Sequence, residues 1–193
     1  MSMPQTPHKL FIQMSGAPGS GKSTIARLLR RSIGGVVIDH DVFRSTLLES
    51  NTPFDQAAKQ AYRLQWTLAR DIVKQDINII IDSPCNFQEV LDHGTTLAKD
   101  HSYIYWYVEC HVESIDLLEQ RLRTREPMAS QRTSINHPPA AAHGVRASGP
   151  DSRALFEKWM KFPCRPEDNA IIVNSRDNPE VLRDQILKQI TPL

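Results

Sequence analysis

The chain has 193 residues, of which 40% are hydrophobic and 23% charged, and its formal net charge is +1. That length predicts one domain with a sizeable core, and the composition is ordinary for a soluble globular protein. The near-neutral balance argues against a surface wholly committed to nucleic acid, although it is compatible with a local basic patch.

Residues 1–8 read as a frayed polar tail with two prolines and no apolar signal core. Leu10–Met14 predicts the first strand. Gly16 to Ser23 follows, and then a helix over Lys22–Ser32 that Gly34-Gly35 ends. Val36–Ile38 is an apolar run suited to a buried parallel strand, and Asp39-His40-Asp41 comes directly after it. Val42–Ser50 reads as a short helix and Phe54–Gln75 as a long one, with Ala57, Ala61, Leu64, Leu68 and Ile72 as its apolar stripe. Ile77–Ile81 predicts a third strand that ends in Asp82-Ser83-Pro84.

Phe87–Lys99 reads as a helix, Tyr103–Val108 as an aromatic strand and Val112–Arg123 as an amphipathic helix. Residues 124–152 show no sustained period and are rich in Pro and Ala, which predicts a lid or an insertion. Arg153–Lys161, Ala170–Val173 and Asn178–Ile190 predict a helix, a last strand and a closing helix. There is no internal repeat. Alternating strands and helices give an α/β fold with a parallel sheet covered on both faces. No run approaches the length of a membrane span. Cys85, Cys110 and Cys164 are far apart and form no metal spacing. A reducing, cytoplasmic setting is expected.

Gly16-Ala17-Pro18-Gly19-Ser20-Gly21-Lys22-Ser23 completes the pattern G-x-x-x-x-G-K-[ST], between a strand signal and a helix signal. Glycines let the backbone curl with its N–H groups pointing inward, and the helix start adds positive charge. Gly16 through Thr24 are therefore the candidate nucleotide-binding residues. Lys22 is placed to reach the β- and γ-phosphates, and the Ser23 hydroxyl to sit on Mg2+. The bland alternative is a Gly/Ser turn without a ligand.

In parallel sheets, ligands bind beyond the carboxyl ends of the strands. That rule gathers Gly16, Asp39-His40-Asp41 and Asp82 along one edge. Asp41 begins D-x-x-R, so it is the candidate to orient or deprotonate a hydroxyl, and Arg44 to hold an anionic acceptor group. Asp39 reads as the helix cap instead. Asp82 is the candidate magnesium carboxylate, or a cap, and Asn86 a candidate acceptor contact or a turn residue.

Arg121 and Arg125 share a helix face, whereas Arg123 points elsewhere. The first two are candidates to neutralise a triphosphate, against the reading of solvated cations at a helix end. Arg132, Arg146 and Arg153 add to a local cationic excess. The histidines form no ligand pattern, and His40 reads as structural. Tyr103, Tyr105, Trp106 and Tyr107 read as core rather than as a base-stacking platform.

Together these segments resemble the P-loop kinases that act on small molecules and on polynucleotide ends, among them polynucleotide 5′-hydroxyl kinases, adenylylsulfate kinases, chloramphenicol phosphotransferases and zeta-type toxin kinases. GAPGSGKST resembles their phosphate loop, IDHDVFRSTL their second-strand motif, IIIDSPCN their third-strand segment and LLEQRLRTRE the helix that carries lid arginines. The resemblance implies a three-layer α/β/α P-loop NTPase fold with a five-stranded sheet of order 2-3-1-4-5. It also implies that Asp41 serves as base, that Arg44 binds the acceptor, and that Asn174-Ser175 lies near the adenine. The expected activity is transfer of the γ-phosphate of ATP, with Mg2+, to a hydroxyl of a small molecule or a nucleic-acid end. Two rivals are an NTP hydrolase or switch acting on a protein partner, and a non-catalytic nucleotide-binding module.

Overall fold

A computed structural model describes residues 9–142 and 152–191 of the chain. The tail expected at 1–8, and Arg146 and His143 within the expected lid, lie outside those residues. Five parallel strands form one sheet in the order β2-β3-β1-β4-β5. They are β1 (Leu10–Ser15), β2 (Val36–Asp39), β3 (Ile79–Asp82), β4 (Ile104–His111) and β5 (Ala170–Asn174). The expected strand order is the observed one.

Central strands of a parallel sheet are covered on both faces, so their residues read as continuous apolar runs. Every residue of β1 and β3 is buried. Leu10, Ile12 and Met14 pack with α1 (Lys22–Ile33) and α7 (Pro179–Ile190) on one face. Phe11 packs with α3 (Phe54–Val73) and α4 (Gln88–Asp100) on the other. Gln13 is polar within this strand because its amide is fully used. It donates to Val90 O at 2.9 Å and accepts from the Tyr105 hydroxyl at 2.8 Å.

Several boundaries differ from expectation. Helix α2 spans His40–Glu49 and so begins before Val42. The cause is Asp39, whose carboxylate accepts the Asp41 N–H at 2.9 Å and caps the helix. The buried stripe of α3 is Ala57, Ala61, Gln65, Ala69 and Ile72 with Trp66 and Val73, whereas Leu64 and Leu68 are 45% and 40% exposed. A polar Gln65 occupies the inward position that Leu64 was expected to fill. Strand β4 runs on to His111 because Glu109, buried at 1% exposure, is neutralised by Arg165 through two bonds of 2.7 and 2.8 Å.

Helices α5 (Ile115–Thr124) and α6 (Ser152–Lys161) close the carboxyl edge of the sheet. Their Leu118, Leu122 and Phe156 form a separate small core with Ala17 of the glycine-rich loop and Ile135. The 124–142 stretch has little regular structure beyond a 3₁₀ turn at Ala140–Ala142. It is nevertheless anchored: Ile135 N–H donates to Glu119 at 2.6 Å, and Ser134 and Ile135 are buried.

Candidate active site

The carboxyl ends of the strands open into a cleft of about 1110 Å³. The sequence candidates for phosphate, acceptor and metal binding converge there, because all of them follow directly on strands of one parallel sheet.

The glycine-rich loop is held in shape by the elements around it. Gly16, Gly19 and Gly21 have φ of 130°, 84° and 93°. A Cβ at Gly16 would come within 2.5 Å of Cys110 O, so β4 presses on the loop from behind. Ser20 N–H donates to Ala17 O at 3.0 Å, and the Ser175 hydroxyl donates to Ser20 O. No side chain caps the start of α1, so its first amides remain available to an anion. Lys22 Nζ lies over the loop, donating to Gly16 O at 2.8 Å and Ala17 O at 3.1 Å.

Three carboxylates, Asp39, Asp41 and Asp82, line the cleft beside Lys22 at and just beyond the ends of β2 and β3. Asp82 is 4% exposed, and its Oδ2 has no hydrogen-bond partner among the described residues. Burial raises its pKa, against the pull of Lys22 and of the Ser23 hydroxyl. Asp39 sits in register with Asp82 on the adjacent strand. Burial first, then the charges of Asp82 and Asp41, push its pKa up to about 6.

An orphaned carboxylate oxygen beside a serine hydroxyl fits a hard, oxygen-seeking cation such as Mg2+. Among the described residues, no group of three or more His, Cys, Asp or Glu is arranged to hold a metal.

Asp41 lies on the first turn of α2, and the third carboxylate is therefore held by a helix rather than a loop. Burial alone would raise its pKa. The neighbouring His40, the hydrogen bond from Gln131 and the charge of Lys22 outweigh burial and hold it at about 2. His40 Nδ1 is 3.6 Å from Asp41 Oδ1, beyond hydrogen-bond length, so Gln131 at 2.8 Å is the direct donor. His40 is 4% exposed and packs on Tyr62 with ring centroids 4.2 Å apart, which agrees with a structural role.

The arginines divide by position. Arg121 donates to Ser175 O at 2.6 Å, at the end of the cleft formed by Ser175 to Pro179. Arg125 donates to Arg132 O at 2.8 Å and leaves a buried Nε without a partner. Burial lowers the Arg125 pKa and the charge of Asp41 opposes this. Arg123 pairs with Glu119 outside the cleft, and Arg153 pairs with Glu157 at 3.3 Å. Arg132 lines the cleft and lies 5.5 Å from the Trp159 ring centre. Arg44 stacks on Phe54 at 4.2 Å with its Nε buried and unpaired, and Asn86 lines the same wall.

Sequence reasoning missed Tyr62, Phe54, Trp159, Ser130 and Gln131, all of which line the cleft. None belongs to a motif. The aromatic residues are spaced as ordinary helix residues, and Ser130-Gln131 lies in a Pro-rich stretch without period. Cys85 is buried and its thiol is pushed up to about 12 by burial, so it is a core thiol.

The AAA domain family matches residues 11–138. No curated protein matches the chain. Solved kinases share the fold. A provisionally assigned kinase from Chloroflexus aurantiacus superposes with a TM-score of 0.70 at 16% identity, over 97% of this chain and 98% of that one. A sugar kinase from Janibacter gives 0.62 at 16% identity, over 95% of each chain. The Mycobacterium tuberculosis APS kinase in complex with AMPPNP and APS gives 0.59 at 16% identity, over 95% and 97%. No helix among the described residues is long and apolar enough to cross a membrane.

Proposed function

We propose that this chain, which belongs to the AAA domain family and shares its fold with solved kinases, transfers the γ-phosphate of ATP to a hydroxyl of a small molecule. One observation carries this reading: Asp41, on the first turn of α2 just beyond β2, lines the same cleft as Lys22 and Arg125, and Gln131 donates to its carboxylate at 2.8 Å.

Lys22 and the loop amides from Gly16 to Thr24 hold the phosphates. Ser23 and Asp82 are the residues that would hold Mg2+, which would supply positive charge to offset that of the triphosphate. Asp41, with its pKa of about 2, is a weak base and orients the attacking hydroxyl. It takes the proton late, as a loose phosphoryl-transfer transition state allows. Arg125 neutralises charge at the transfer point, and Arg121 serves the nucleotide end. Arg44 and Asn86 line the acceptor side. The 124–142 segment covers that side and excludes water.

APS kinase and sugar kinase among the structural neighbours support a small-molecule acceptor. The net charge of +1 favours it over a polynucleotide.

The test is ADP release from Mg-ATP, alone and with pooled nucleosides, 5′-hydroxyl oligonucleotides, sugars, adenylylsulfate and hydroxylated antibiotics. Release stimulated by one pool, and lowered about 100-fold by Asp41→Asn with ATP affinity retained, supports the kinase. Pool-independent release that survives Asp41→Asn favours a hydrolase or nucleotide switch.

A further inference from the structure

Gln131 approaches Asp41 from the far side of the cleft, 90 residues away in sequence, and its carboxamide is fixed at both ends. Nε2 donates to Asp41 Oδ2 at 2.8 Å, and Oε1 accepts the Met128 N–H at 3.3 Å. The Met128 contact sets which end of the amide faces the carboxylate. The next residue back secures the approach. Ser130 N–H donates to Ser45 Oγ at 3.1 Å, Ser45 Oγ donates to Ser130 Oγ at 2.9 Å, and Ser130 Oγ donates to Asp41 O at 3.3 Å. Ser45 lies one turn beyond Asp41 on α2, and both serines are buried. Ser130 and Gln131 therefore clasp the main chain and the carboxylate of the same residue.

A carboxylate that orients a hydroxyl must present one oxygen while its own rotation is stopped. A donor on Oδ2 stops that rotation and leaves Oδ1 to the acceptor. We propose that Gln131 is a positioning residue for phosphoryl transfer, acting through Asp41 and not through the nucleotide. The proposal rests on the phosphotransferase reading above.

The test is a double-mutant cycle on ADP release from Mg-ATP, with water alone and with the acceptor pools, and with Mg-AMPPNP affinity measured beside it. Gln131→Met keeps the stem and removes the donor. It should slow release about tenfold and leave AMPPNP affinity within about twofold. Gln131→Glu, which sets a second carboxylate against Asp41, should slow it further. In the Asp41→Asn background, Gln131→Met should have no additional effect, because the residue it acts through is gone.

Additive losses, an unchanged Gln131→Met rate, or a matching loss of AMPPNP affinity would each overturn the proposal. If Asp41→Asn itself leaves release intact, the role of Asp41 fails and the proposal fails with it. If Asp41→Asn is slow while Gln131→Met is normal, only the Gln131 proposal fails.

Discussion

Asp39 and Asp82 lie side by side at the ends of β2 and β3, in direct register, with Arg27 near both and Lys22 near Asp82. Arg27 Nη2 is 3.8 Å from Asp39 Oδ2 and two-thirds exposed, so it offsets little of the repulsion. The charge of Asp82 therefore adds to burial in raising the pKa of Asp39.

The consequence is a pH dependence of stability. The folded pKa of Asp39, about 6, exceeds the ordinary 3.8, so the native state binds more protons than the unfolded chain between those values. The stabilisation is complete below about pH 4 and is lost as pH rises through 6. Asp39→Asn keeps a good helix cap and removes the charge. Thermal unfolding in EDTA should show the variant more stable than wild type at pH 7.5, by on the order of 2 kcal/mol, and similar at pH 4. An equal gain at both pH values would place the penalty elsewhere.

Two glycine substitutions separate crowding from strain. Gly16→Ala places a Cβ 2.5 Å from a backbone carbonyl of β4, which a central strand cannot yield. It should cost about 3 kcal/mol or more and abolish nucleotide binding. Gly34 has φ +74° with nothing within 4 Å of its Cβ position. Gly34→Ala should cost about 1–2 kcal/mol and leave nucleotide affinity intact. Urea unfolding and AMPPNP titration read both.

Arg121 and Arg125 should part in kinetics. Arg121→Ala loosens the contact with Ser175 and should weaken AMPPNP binding about tenfold. Arg125→Ala should lower turnover about 100-fold or more with a small change in affinity. Equal effects of the two substitutions on affinity would contradict this division.

The pair of Arg165 and Glu109 offers a stability test away from the chemistry. Glu109 is buried, while the Arg165 side chain is 39% exposed. Arg165→Met leaves a buried carboxylate with the Tyr107 hydroxyl at 3.3 Å and His111 Nδ1 at 3.5 Å beside it. The expected cost is about 2–4 kcal/mol by urea unfolding, and Glu109→Gln added to Arg165→Met should recover part of it. No recovery would show that packing, not charge, is at stake.

The strands and the phosphate loop were legible because their signals are local. Ile79–Ile81 is apolar because both sheet faces are covered, and the loop glycines stand in a short fixed pattern. What was not legible depends on partners distant in sequence. The end of β4 was hidden by Glu109, whose charge is matched by a residue 56 positions later. The face of α3 was misjudged because Gln65 is buried and two leucines are not. Asp41 was legible as a strand-end carboxylate, but its setting by Gln131 arises only when residues 90 apart meet.

The bond from the Ser175 hydroxyl to Ser20 O joins the phosphate loop to the end of the last strand, 155 residues away. Synthesis runs from the amino end, so the loop is made early and receives this brace late. A nascent chain cut off before β5 lacks both the brace and the fifth strand. The shape of the phosphate loop thus draws on a residue from the far end of the chain, and truncation before β5 would remove brace and strand at once.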